Sequence, residues 1–322
     1  MNNRVVTLVL ATGVSILALA SGAKTAAACD RTYTIGFSHP TGGAAFVTSL
    51  RKKVERFAQE NGCVNMLIDN TQANNLETQR VALESWIIQK VDAIVVLPVD
   101  AKALSGLQKQ AQAKGIKWLT YAAPTPGADG SVGFDNVQSG RILAEDALAW
   151  VKTRYPNGGV SAAVTTLTPL KGAFIGRWQE PLDRFKEAGL SVISTQDCGD
   201  QECGLRIAED AIRQNPDLRV FIGFNDDAAV GALRAFTNAK IDPNEVYVAG
   251  QDGTPEALEA VRAGGAYRAS AAILLDKLAE LIVKNSIAAA TGAPGSNEQV
   301  GVELATQRNS AELEKLIAQY KD

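Results

Sequence analysis

Histidine is nearly absent: the 322 residues contain one, His39. Acid–base relays and metal centres draw heavily on imidazole, so a single one gives little support to either chemistry. The four cysteines, Cys29, Cys63, Cys198 and Cys203, do not fall at zinc-ligand spacing. No G-x-S-x-G nucleophile elbow and no G-x-G-x-x-G dinucleotide loop occurs. The run GGAAF (42–46) is not followed by the Lys-Ser/Thr of a phosphate loop. No cofactor and no metal are therefore expected, and an enzyme is the weakest reading. Asp226, Asp227 and Asp252 are the carboxylates such a reading would need, but nothing in the sequence fixes their separation. Positive charge is not in excess either. Lys and Arg number 32 against 35 Asp and Glu, for a net charge of −3, which gives no electrostatic basis for a nucleic-acid partner.

A membrane-spanning run is missing as well. The apolar stretch Val5–Ala20 is short of the roughly 20 residues a span requires. Arg4 precedes it and the small residues SGAKTAAA follow it, which is the order of an export signal cleaved after Ala28. A retained anchor and a lipid-modified Cys29 are the alternatives. Ala26, where a lipoprotein signal usually has a large aliphatic residue, disfavours the second. Residues 1–28 are thus expected to be a signal peptide, and the mature protein to be periplasmic. An even cysteine count in an exported chain suggests disulfides. Cys29 and Cys63 precede what read as the first two strands, whose neighbouring starts would pair them and leave Cys198 for Cys203.

From Thr32 onward, apolar strands alternate with amphipathic helices. The strands read YTIGF (33–37), VNMLI (64–68), AIVVLP (93–98), WLTYA (118–122) and SVGF (131–134). The alternation then restarts with a helix over 137–154 and the strands VSAAVTTL (160–167), LSVIST (190–195), RVFIGF (219–224), VYVAG (246–250) and YRASAA (267–272). Later come a long helix ending near 290, the stretch QVGVEL (299–304) and a last helix over 310–320. Strands that are apolar throughout are covered on both faces, so the fold class is α/β, with two doubly wound parallel-sheet lobes. Ligands in such sheets bind beyond the carboxyl ends of the strands. The segments at those ends are rich in Asp, Asn, Gln, Ser and Thr and include Phe46, Tyr121 and Trp178. Groups that both donate and accept, beside aromatic faces, suit a neutral polyhydroxylated ligand. Each has a plainer reading: Asn225 or Asp226 as a helix cap, Asp252 as turn chemistry, Trp178 as core, His39 as a polar loop residue.

Five stretches carry a resemblance: IGFSHPTGGAAFVTSLRKKVERFAQENG, VDAIVVLPVDAKAL, VGFDNVQSGRILAEDAL, GFNDDAAVGALRAF and VAGQDGTPEALEAVRAGG. The chain resembles, over about 32–305, the ribose-binding-protein group of periplasmic sugar-binding components of ABC importers, related to the lactose-repressor ligand domain. The export signal in place of a helix-turn-helix argues against a transcription factor. The resemblance implies two lobes joined by a three-strand hinge, with crossovers near Asn136, Ile273 and Gly301 and the ligand in the interlobe cleft. It divides the chain into 29–135 plus 274–300 and 136–273 plus 301–322. It implies a small-carbohydrate ligand, an ABC permease with its ATPase as partner, and a monomer; a sensor presenting the ligand to a membrane receptor or kinase is the alternative. Asn225 and Asp252 are expected to hydrogen-bond the ligand and Phe46 to pack on it, leaving Asp226 to cap the helix. Ser38, His39, Tyr121, Arg177, Trp178 and Gln179 complete the candidate site. Departures from the family pattern stand at Ala45, at Ala122-Ala123 in place of an Asp-Arg pair, at Gln179 in place of an arginine, at Ile273 in place of a glutamine, and near Gly199 in place of an aromatic. Missing charge-assisted hydrogen bonds point away from ribose and glucose, toward a short polyol, a tetrose or pentose derivative, or a modified sugar. His39 and Arg177 leave room for a sugar acid.

Overall fold

The computed structural model describes residues 30–69, 71, 74–122 and 124–320. The expected signal peptide and Cys29 lie outside the described residues, as does Ala123.

The first sheet is built from β1 (Tyr33–Ser38), β2 (Val64–Ile68), β3 (Ala93–Val96), β4 (Lys117–Ala122) and β5 (Gly130–Phe134), separated by α1 (Ala45–Asn61), α2 (Leu76–Gln89) and α3 (Ala101–Ala113). The second half opens on α4 (Asn136–Arg154), followed by β6 (Ser161–Thr166), the short α5 (Lys171–Phe174), α6 (Gly176–Glu187), β7 (Ser191–Asp197) and α7 (Gln201–Gln214). It continues with β8 (Leu218–Ile222), α8 (Asp226–Asn238), β9 (Tyr247–Asp252), α9 (Pro255–Ala263) and β10 (Tyr267–Ile273). The chain closes with α10 (Leu275–Ala290), β11 (Asn297–Val300), β12 (Val302–Thr306) and α11 (Ser310–Ala318). Two six-stranded sheets result, ordered β11-β5-β4-β3-β1-β2 and β12-β10-β9-β8-β6-β7. Helices cover both faces, and the four residues of β3 are fully buried, which is why these strands carry no polar alternation.

The two orders are the same. In each sheet the first strand sits inside, with the second on one side and the third on the other. Successive crossovers therefore turn in opposite directions, opening a crevice beyond the carboxyl ends of β1 and β3 in one sheet and of β6 and β8 in the other. The chain passes between the sheets three times: from β5 into α4, from β10 into α10, and at Gly301 between β11 and β12. α10 packs on α1 and the first sheet, although it follows a strand of the second.

The tail departs from the sequence reading. QVGVEL is not one strand: β11 pairs with β5 in one sheet and β12 with β10 in the other. Gly301 is the break, a single residue too small to interrupt the apolar pattern. β12 is also antiparallel to β10, so the second sheet is not wholly parallel. It enters directly from the neighbouring lobe without a helical crossover, and a parallel partner would need one.

Cys198 and Cys203 form the expected disulfide, with Cα atoms 5.7 Å apart. Cys63 is also disulfide-bonded. The Tyr33 amide donates to its carbonyl at 2.8 Å, so the start of β1 lies against the start of β2. The Cys29 end of the expected pair lies outside the described residues.

Candidate functional site

A cleft of about 600 Å³ opens between the facing strand ends of the two sheets. The segments after β1 and β3 contribute His39, Thr41, Gly43 and Leu97 to its walls, and those after β6 and β8 contribute Leu167, Leu170, Phe224 and Asn225. Phe46 from α1, Tyr121 from β4, Phe134 from β5 and Phe174 from α5 supply ring faces.

Arg177 is the centre of the cleft's electrostatics. It is 2 % exposed, yet its Nη1 lies 2.7 Å from Asp252 Oδ1. Its Nε donates to Asn136 Oδ1 at 2.7 Å, at the first passage between lobes. Its guanidinium lies 5.1, 5.2 and 5.4 Å from the ring centres of Phe134, Phe174 and Phe224. Rings on three sides hold a desolvated cation by their quadrupoles. Glycine brings it there: a β-carbon on Gly176 would meet the Val137 nitrogen at 2.7 Å, so only glycine lets α6 start against α4.

Asp252 ends β9 at φ +115°, a strained conformation for a residue with a side chain. Burial raises its pKa, while Arg177 opposes the rise. Asp227, at the start of α8, is pushed up to about 6 by burial and then by the charge of Asp252. His39 is the reverse case: burial, with Arg51 adding to it, lowers its pKa to about 3, so its ring is neutral at pH 7. The Thr41 amide donates to His39 Nδ1 at 3.2 Å, which makes Nδ1 the acceptor and puts the proton on Nε2. The Tyr121 hydroxyl is buried and has no partner among the described residues. Burial, followed by the charge of Asp252, raises its pKa, so it stays a neutral donor.

The structure brings His39, Phe46, Tyr121, Arg177, Asn225 and Asp252 together in the cleft. It does not bring the other three there. Ser38 is buried behind the wall, where Gln79 Nε2 donates to its hydroxyl at 2.9 Å. Trp178 is core, its ring 5.9 Å from that of Phe224. Gln179 points away from the cleft and donates to Asp183 at 2.8 Å. Trp178 and Gln179 follow Arg177 on one helix, and successive residues on a helix point about 100° apart, so one residue of the three faces the cleft. Gln179 is thus not where an arginine has been lost: an arginine occupies the cleft at position 177. Its charge is taken by Asp252 and His39 is neutral, which removes the basis for a sugar acid.

The reading of Asp226 as the helix cap is also corrected. Asn225 caps α8 by accepting from the Ala228 amide at 3.0 Å, and its amide donates to the Gly199 carbonyl at 2.9 Å. Asp226 is fully buried and caps nothing. It accepts from the Thr254 amide, the Tyr267 hydroxyl and the Ser270 hydroxyl at 2.7–2.8 Å, stitching α8 to β10. Sequence reasoning missed Phe134, Phe174, Phe224, Asp200, Gln201 and Asp227 as wall residues. Only their position at strand ends marked them.

The chain matches the family model described as periplasmic binding protein domain over residues 35–294, and it belongs to that family. It is 29 % identical over 234 residues to the ribose import binding protein of Bacillus subtilis, covering 71 % of this chain and 73 % of that one. It is 28 % identical over 227 residues to the xylitol-binding protein of Mycolicibacterium smegmatis, covering 69 % of this chain and 62 % of that one. Among solved structures, an ABC transporter solute-binding protein from Bacillus halodurans with bound myo-inositol superposes with a TM-score of 0.79. The identity is 25 %, with 90 % of this chain and 99 % of that one covered. By name these relatives are binding proteins for a sugar or a polyol, and the fold of the solved one is the fold of this chain.

Proposed function

We propose that this protein captures a small polyhydroxylated solute between its lobes in the periplasm and delivers it to an ABC permease, with no bond made or broken. The solute is a short polyol, a tetrose or pentose derivative, or a modified sugar rather than ribose or glucose. The observation that carries the reading is the cleft wall: aromatic faces beside Asn225, Asp252 and the unpaired Tyr121 hydroxyl, between the facing strand ends of the two sheets. Such a wall pairs ring faces with C–H groups and polar atoms with hydroxyls. The relatives' named ligands, among them ribose, xylitol and myo-inositol, belong to the same chemical class. The end of β4 supports a ligand other than ribose: Ala122 offers no charged donor or acceptor. Closure follows if the ligand binds the closed arrangement better than the open one.

Thermal-shift and calorimetric titration of the mature chain against pentoses, polyols and modified sugars test this reading. A ligand at 100 times its Kd is expected to add about 2.7 kcal/mol of stability. Small-angle scattering is expected to show a smaller radius of gyration on saturation. Tight binding of ribose would refute the ligand assignment, and binding with unchanged dimensions would refute closure.

A further inference from the structure

The charged groups of the cleft wall are unbalanced. Its cation, Arg177, is already paired with Asp252 at 2.7 Å. The facing imidazole of His39 is neutral. Arg51, behind the same loop, pairs with Asp69. Against these stand two further carboxylates on the wall, Asp200 and Asp227, for which the described residues supply no cation. Asp200 is accounted for: its side chain accepts from the Cys203 amide at 2.9 Å and caps α7. Asp227 is not. The Gln201 side chain reaches it, and the charges acting on it are those of Asp252, Glu256 and Asp200, all of its own sign. A half-buried carboxylate on a cleft wall, with only carboxylates as charged neighbours, is favoured by a positive charge brought beside it. Independently, the Tyr121 hydroxyl in the same cleft is buried without a partner and is positioned to hydrogen-bond a bound molecule.

We propose that the solute carries a protonated amine, as an amino-polyol or amino sugar does, and that Asp227 is its counter-ion while Tyr121 takes a hydroxyl. This rests on the carbohydrate-capture reading and narrows it. A neutral polyol would leave Asp227 facing like charges in a closing cleft, and an anion would add to them. An ammonium group relieves both.

The test uses matched ligands on the full mature chain. 2-Amino-2-deoxyhexoses and 1-amino-1-deoxy-polyols are titrated by calorimetry beside their hydroxyl parents and their N-acetyl derivatives, which keep the shape and lose the charge. At least one amine is expected to bind tenfold or more tighter than both counterparts. Asp227→Asn is expected to reduce that preference, the ratio of amine to parent affinity, at least tenfold. The wild-type comparison stands alone if the variant does not fold. Parents binding as tightly as their amines would overturn the amine assignment and leave carbohydrate capture in place. An Asp227→Asn protein that keeps the full preference would overturn the role of Asp227. A panel with no ligand at all would overturn carbohydrate capture, and the amine assignment with it.

Discussion

Arg177 and Tyr121 illustrate opposite ways of burying a polar group. Arg177 is compensated several times over, by Asp252, by Asn136 and by three rings, so removing it exposes what it was compensating. Arg177→Met is expected to destabilise the ligand-free protein by about 1–3 kcal/mol in urea unfolding, because Asp252 is left as an unpaired, partly buried charge. Adding Asp252→Asn is expected to recover much of that loss; no recovery would mean that the pair is not the source. Tyr121 is uncompensated. Tyr121→Phe is expected to leave ligand-free stability unchanged or slightly raised and to weaken ligand binding by about 1–3 kcal/mol, read by calorimetry. A variant that loses stability and keeps affinity would show the hydroxyl to be satisfied within the chain.

The site depends, at the level of elements, on how closely α7 and α8 approach. A β-carbon on Gly231 would lie 2.1 Å from the Gln201 carbonyl, and one on Gly204 would lie 2.1 Å from the Ala228 carbonyl. These reciprocal contacts bring the start of α7, with Asp200 and Gln201, against the start of α8, with Asp227. Gly231→Ala is expected to cost about 1–3 kcal/mol of stability through overpacking and to weaken ligand binding, since the helix starts must separate. Thermal unfolding and calorimetry together check it: lost stability with full affinity would mean that the spacing of α7 and α8 is not what positions the wall.

Asp226 and Asp227, at the start of α8, are expected to give the whole molecule a pH dependence. Burial and the charge of Asp252 raise Asp226 to about 7 and Asp227 to about 6, from an ordinary value of 3.8. Between those values the folded state holds more protons than the unfolded state, so stability is lost as pH rises through the window. His39 acts oppositely. Its folded value of about 3 lies below the ordinary 6.5, so it adds stability as pH rises from 3 to 6.5. Two carboxyls outweigh one imidazole up to pH 6, and above pH 6.5 Asp226 alone acts. The ligand-free protein is expected to be more stable at pH 5 than at pH 7.5, measured by urea unfolding in constant salt. The opposite order would mean that Asp226 is ionised throughout, held so by its three donors.

The apolar runs and their spacing were enough to define two α/β lobes, because a strand covered on both faces must be apolar along its whole length and a helix must repeat every 3.6 residues. Asn225 and Asp252 were legible at the carboxyl edge for the same reason: the strand pattern places them there. Which neighbour on a helix faces inward was not legible. Arg177, Trp178 and Gln179 are adjacent in sequence, and the contact of Gly176 with α4 sets the helix rotation that turns Arg177 into the cleft. Nor could it be read which of 225 and 226 caps the helix, because either residue can do so and only the arrival of Tyr267, Ser270 and Thr254 makes Asp226 a core acceptor. The local pattern, determined by the sequence alone, decided which segments reach the cleft. The tertiary structure decided which atoms within those segments meet across it, because side-chain partners come from strands and helices distant in the chain.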